Sequence, residues 1–501
     1  MKQNATALAA AALSILITGA SGASAQKSGG TLRVSHRDSP ASMSIHEEGT
    51  VGVIMPMMGV FNNLMIYDQH IAKNSIATIV PELATDWAWN ADSTALTLKL
   101  RDGVRWHDGR PFTARDVKCT FDLLSNQGKE KLRLNYRESW WVNIAGTSTN
   151  GDHEATIHLK QSQPALLALL ASGETPVYPC HVAPRDMRQT PIGTGPFKFA
   201  EYKPNQTIKV VRNPDYWKPD RPYLDAVEYT IMANRSTALL AFAAGKIDMI
   251  FPNEVTVPLL GDVKAQAPQA ICQIAPTSEA VGVLVNRTAP PFDNPDLRRA
   301  IALTLDRKSF IDILGNGEGN LGGVMQPPPE GAWGLSPEML ADLPGYGGDV
   351  RANREEARAI MQSLGYGPDK RLPLKLSVRN LSVYRDPGNL LIDQLREIYM
   401  DGELELTETA TWVPKLIRKD YKIALNVLGA AVDDPDVVLF QNYVCGSARN
   451  YTGHCNKQLD GMINQQSMEA DPAKRKLLVQ KIDHILQEEL ARPILYHRRA
   501  G

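Results

Sequence analysis

An excess of either charge is what this sequence lacks first: across 501 residues, 54 Lys and Arg stand against 55 Asp and Glu. So even a balance gives no polybasic footprint, and nucleic acid and anionic membrane surfaces are not expected partners. Long apolar runs are also missing beyond the first 25 residues, so no later segment is expected to span a bilayer. Cysteine is scarce, and five is an odd number, so at least one stays outside any pairing within the chain. Internal repeats and low-complexity tracts do not occur. What remains is a globular composition, 43% hydrophobic and 22% charged. At roughly 100–200 residues per domain, the length suggests about three domains.

The start of the chain reads as an export signal. Lys2 gives a small positive beginning, Ala5–Ile17 is almost wholly apolar, and Ala23-Ser24-Ala25 is a small-x-small cleavage site before Gln26. A membrane anchor would need about 20 apolar residues, and Thr18, Gly19 and Ser21 interrupt too early. No Cys stands at the cleavage site to carry a lipid. Export places the cysteines in an oxidising space. Cys445 and Cys455 are the expected disulfide, because the residues between them are turn formers. Closing that loop would contribute roughly 2–3 kcal/mol. A zinc site using the adjacent His454 lacks the usual paired ligand spacing. Cys119 lies in an apolar helical stretch and is expected to be a buried small hydrophobe, while the pairing of Cys180 and Cys272 is left open.

Short strands alternate with helices along the rest, which argues for α/β layers. Thr31–Ser35, Ser93–Leu100, Ala155–Leu159, Gly193–Phe199 and Thr207–Arg212 read as strands, and Ile247–Ile250 as a further one. Thr113 with Asp116 is an N-cap with an acid three residues on. Ser236 is expected to cap a helix stopped by Gly245, and Asn294-Pro295 to open another. Glu355–Leu364, Leu390–Met400 and Lys474–Leu490 complete the helices.

Catalytic motifs are not found. No Gly-x-Ser-x-Gly elbow occurs. His153 and His158 are five apart in a segment that alternates like a strand, which sends them to opposite faces. Gly315-Asn316-Gly317-Glu318-Gly319 lacks both the Lys-Ser/Thr of a phosphate loop and the third glycine of a dinucleotide fingerprint. Acid pairs such as Glu47-Glu48 and Asp433-Asp434 are expected by chance among 55 acids.

Several segments, in order, resemble the family 5 extracellular solute-binding proteins, receptors of peptide-, nickel- and opine-type ABC importers. They are Pro81-Glu82-Leu83-Ala84-Thr85-Asp86-Trp87, the signature-like stretch Leu96 to Val117, Gly193-Thr194-Gly195-Pro196-Phe197 and Asn213-Pro214-Asp215-Tyr216-Trp217. Ala243–Asp248, Asn294–Arg307 and Asn450-Tyr451-Thr452-Gly453 continue the set. The resemblance implies an α/β, two-lobed, type II periplasmic binding protein with an extra inserted domain, three domains in all. Residues 1–25 would be the signal peptide. Domain I would take residues 26–60, 190–283 and 485–501, domain II residues 61–189, and domain III residues 284–484. Trp106, Phe112 and Asp116 are expected to serve as core and capping positions.

By the same resemblance, Arg379 falls where dipeptide-binding relatives clamp the ligand carboxylate, with Arg385 as the nearby alternative. Trp412 would line the site. In the site loop 428–436, relatives place an Asp that pairs with the ligand's α-ammonium where Ala431 stands here, so Asp433 would have to reach in instead. Relatives also continue some tens of residues past Arg492–Tyr496, whereas this sequence ends at Gly501. The implied function is a periplasmic receptor, monomeric and without cofactor or metal, that captures a small-molecule or short-peptide ligand and delivers it to ABC permease subunits. A metal-chelate or opine receptor is the nearest alternative, and a secreted hydrolase using an acid pair the more distant one.

Overall fold

The computed structural model describes residues 27–501, and the expected signal peptide, residues 1–25, lies outside the described residues. Strand Thr31–His36 pairs in parallel with Ala226–Ile231, which continues antiparallel into Thr207–Arg212 and Phe197–Lys203. A second four-stranded sheet, all antiparallel, runs in the order Ala84–Trp89, Ala95–Leu100, Glu154–Leu159, Ile144–Thr149. The largest sheet has six strands. Its order is Gly319–Asn320, Ile494–Ala500, Ala275–Val285, Ile423–Gly429, Leu372–Arg379, Met400–Thr407, with the last three parallel. Each sheet carries its own apolar cluster, because a half-buried strand gives every second side chain to one face.

Strand pairing moves two edges of the expected domain division. Residues 275–283 and 485–501 were both expected in domain I, but Ala275–Val285 and Ile494–Ala500 hydrogen-bond into the six-stranded sheet. At its far end this pair reaches back to the first sheet's side: Ala275 faces Ala500, Arg498 Nη2 donates to the Asn253 carbonyl at 3.1 Å, and the Gly501 amide to that of Val255 at 3.0 Å.

Local signals explain most elements. Thr113 and Asp116 form both halves of a capping box on helix Ala114–Leu124. Asp116 does more than cap, since it also accepts from the Cys180 amide at 2.8 Å and from Trp106 Nε1 at 3.3 Å. With Trp106 and Phe112 buried around it, the signature-like stretch is a core device. The glycines of Gly193-Thr194-Gly195 answer a close approach: a Cβ would stand 1.9 Å from the Val60 carbonyl oxygen at the first and 2.5 Å from its carbon at the second.

Other expectations are corrected. Asn234, not Ser236, caps helix Arg235–Ala243, and Ile247–Ile250 contributes only a single bridge between Val34 and Met249. The helix expected from Leu390 begins at Ser382 and holds Pro387 one turn in, while Met400 already opens a strand. Cys119 is bonded to Cys180 rather than free, Cys445 is bonded to Cys455, and Cys272 is the unpaired cysteine. Among the described residues no helix is long and apolar enough to cross a membrane.

Two measurements check this framework. Asp116→Ala leaves three buried or capping donors without an acceptor and should destabilise the protein by about 2–4 kcal/mol in urea titration, with Asp116→Asn recovering part of the loss. Asp483 is buried against the Val324 and Met325 amides with no cation, and burial pushes it up to about 7 from an ordinary value of 3.8. The folded state therefore holds a proton that the unfolded state has lost, and this group's contribution falls as pH rises from about 4 to about 7. Asp483→Asn should flatten the fall in melting temperature across that window, and an unaltered slope would assign it to other groups.

Candidate functional site

A cavity of about 160 Å³ lies where the three sheet regions meet. Arg37 and Thr50 reach it from the first region, Trp140 and Glu174 from the second, and Arg379, Trp412 and Arg449 from the third. Residues that line one hollow are thus hundreds of positions apart in sequence. Such a site exists only when the regions are docked.

One docking contact is a buried ion pair. Arg379 ends strand Leu372–Arg379 and donates through Nη2 to Asp38 Oδ2, just beyond strand Thr31–His36. Thr409 Oγ1 closes the triangle, accepting from Arg379 Nε at 2.8 Å and donating to Asp38 Oδ2 at 3.0 Å. Both charges are buried, Arg379 at 2% and Asp38 at 6% exposure. Burial alone would raise the Asp38 pKa, but Arg379 and Arg37 outweigh it and hold the carboxyl below its ordinary value. Gly52 makes room, since a Cβ there would stand 2.4 Å from Asp38 Oδ1.

Other charges on the wall are also partnered. Arg37 Nη1 donates to Glu254 at 2.9 Å, and although burial works against its charge, Glu254, Asp38 and Glu279 hold the guanidinium above its ordinary value. Glu279 is bonded to Arg498, and Glu174 to Arg137. Arg137 also donates to the Ile45 and Glu48 carbonyls, at 3.0 and 3.2 Å. The loop bearing Gly429, Ala430 and Ala431 on the wall is anchored behind. There Arg475 grips Asp434 with two bonds of 2.8 and 2.9 Å, and Asp436 accepts from Gln163 of the second region at 3.0 Å.

The residues expected at the site divide. Arg379 and Trp412 both line the cavity. Trp412 is 1% exposed, packs edge-on to Tyr384 and donates to Asn426 at 3.4 Å, so it is a core residue with one face on the wall. Arg385 does not line the cavity; it lies on the helix that starts at Ser382 and donates to Asn380 and Ser382. Asp433 is also elsewhere, accepting from the Ala332 amide at 2.8 Å while its carbonyl takes the Trp333 indole. Ala431 is on the wall, and no carboxylate replaces it from within its own loop. Asp38 and Arg449 carried no signal that isolated them in the sequence: one is an acid among 55, the other sits in a turn-rich loop.

A family model described as bacterial extracellular solute-binding proteins, family 5 (middle part), matches residues 78–450. Among curated proteins, the di/tripeptide-binding protein 2 of Pseudomonas aeruginosa is 25% identical over 464 residues, covering 84% of this chain and 82% of that one. Among solved structures, the ABC transporter-associated periplasmic binding protein DppA of Helicobacter pylori, in complex with the peptide STSA, superposes with a TM-score of 0.82. It is 19% identical, over 95% of this chain and 93% of that one. The binding protein AgaA from A. tumefaciens R10, in complex with agropinic acid, gives 0.78 at 23% identity over 94% and 92%. These neighbours are two-lobed type II periplasmic binding proteins, and the fold here is the same.

Breaking the buried pair from one side leaves the other charge uncompensated, at about 3–5 kcal/mol. Asp38→Asn should therefore favour separation of the docked regions. Small-angle scattering of the ligand-free variant is expected to give a larger radius of gyration than the wild type. An identical profile would mean that the pair does not hold the regions together.

Proposed function

The chain belongs to the bacterial extracellular solute-binding proteins of family 5, and on that premise we propose that it is the receptor of an ABC importer. It captures a peptide-like or other small polar solute between its lobes and hands it unaltered to the permease subunits. The observation that carries this reading is the cavity itself, walled by residues from all three sheet regions and dependent on their docking. A solute held there touches both lobes at once, so it favours the closed form by its differential affinity. Micromolar binding is worth about 8 kcal/mol, enough to shift a closure equilibrium over several decades. The curated relative named for di- and tripeptides supports the peptide-like class. Export through cleavage after Ala25 and work in the periplasm belong to the same proposal. So does the three-part domain division, with its edges moved as the sheets require.

Arg379 and Trp412 form part of the binding wall in this reading. With Nε and Nη2 of Arg379 bonded to Thr409 and Asp38, only Nη1 is wholly uncommitted among the described residues. Arg379 thus keeps the two N–H groups of Nη1 and the second of Nη2 for a solute, while its charge is already balanced by Asp38. An opine or chelate receptor is the second reading, favoured by the three arginines on the wall and by the neighbour holding agropinic acid. A hydrolase is disfavoured, because the acids of the sequence pairs are engaged elsewhere: Glu47 with Arg188 at 2.5 and 2.9 Å, and Asp434 with Arg475.

Native mass spectrometry of the full protein, purified without denaturant, checks the assignment. A small solute carried through intact, with scattering that contracts when it is returned to stripped protein, is the expected result. Release of a cleaved or otherwise converted product would instead support an enzyme.

A further inference from the structure

The charges on the cavity wall do not balance. Glu174 and Glu279 are each neutralised by an arginine, and Arg37 and Arg379 each by a carboxylate. Arg449 is the exception: among the described residues no carboxylate lies within ion-pair distance of it. Its one partner is the neutral amide of Gln441, turned so that the oxygen faces the guanidinium. Near it Arg492, 2% exposed, also lacks a carboxylate among the described residues and has Nε and Nη2 without acceptors there; burial lowers its pKa. An uncompensated cation in a site that closes is unfavourable until an anion arrives.

Unmet hydrogen bonds point the same way. Three residues that line the cavity also carry buried polar atoms without partners among the described residues: Arg37 Nε, Trp140 Nε1 and the Thr50 hydroxyl. Buried donors of this kind are normally satisfied, so a solute that meets them brings oxygens. The loop that presents Arg449 is firm. Cys445 and Cys455 close it with Cα atoms 4.8 Å apart, and inside it Asn450 Nδ2 donates to the His454 carbonyl at 2.6 Å. A guanidinium on a braced loop loses less freedom on binding than one on a slack loop.

We propose that the solute is a small, acceptor-rich carboxylic acid whose nitrogen, where it has one, is acylated and uncharged, and that Arg449 meets its carboxylate. This rests on the receptor reading and narrows its ligand class. Arg449 thereby sets specificity, while Arg379 mainly joins the lobes.

Calorimetry and thermal shift on the full protein, stripped of bound solute, test this with three probes: Ala-Glu, N-acetyl-Ala-Glu and agropinic acid, the last two bearing acylated nitrogen. At least one of the latter two should bind ten-fold or more tightly than Ala-Glu. Arg449→Gln should weaken that probe ten-fold or more with the ligand-free melting temperature unchanged, and Arg449→Lys should recover part of the affinity. Tighter binding of Ala-Glu, or an Arg449→Gln variant that binds like the wild type, overturns the inference and leaves the receptor reading standing. Failure of all three probes also overturns it, and the receptor reading is then decided separately by the solute carried through purification.

Discussion

A guanidinium at the end of one strand reaches a carboxylate 341 positions away, and that pair ties together two of the three regions that wall the cavity. Two buried charges lose their water on meeting, so the contact is worth little unless its geometry is nearly complete. Thr409 completes it on one side, and the missing side chain of Gly52 admits it on the other. This is a conditional bond. It favours docking when both partners are in register, and either one alone is a buried charge that the folded protein can hardly accommodate.

Around that latch, most of the wall is electrically quiet. Each paired charge adds structure to the cavity without selecting a guest, because its field is cancelled close by. Selectivity is left to the groups that were not cancelled. The contrast between Arg379, tied up by Asp38, and Arg449, facing only an amide, is therefore a division of labour between holding the lobes and reading the solute.

What was legible in the sequence was local or carried by resemblance. Strand Thr207–Arg212 and the Asn294 cap were read with their observed limits because alternation and capping act within a few residues. The helix expected from Leu390 begins eight residues earlier, at Ser382, and Pro387 is tolerated inside it because its missing amide costs only one bond near the start. Arg385, expected near the site from the resemblance alone, lies along that helix and bonds to Asn380 and Ser382 instead. Asp433 could not be placed by pattern, since its carboxylate is held by the Ala332 amide and its carbonyl by the Trp333 indole, a hundred residues earlier. Arg449 escaped notice for a different reason: what distinguishes it is an absent partner, and absences are visible only when the whole surroundings are assembled.

The bridge between Cys445 and Cys455 bears on binding as well as on a loop. Without that bond the residues flanking Arg449 would be free to part, and a freer guanidinium gives up more on meeting a solute. Full grip on cargo is therefore linked to the oxidation of this one pair of thiols.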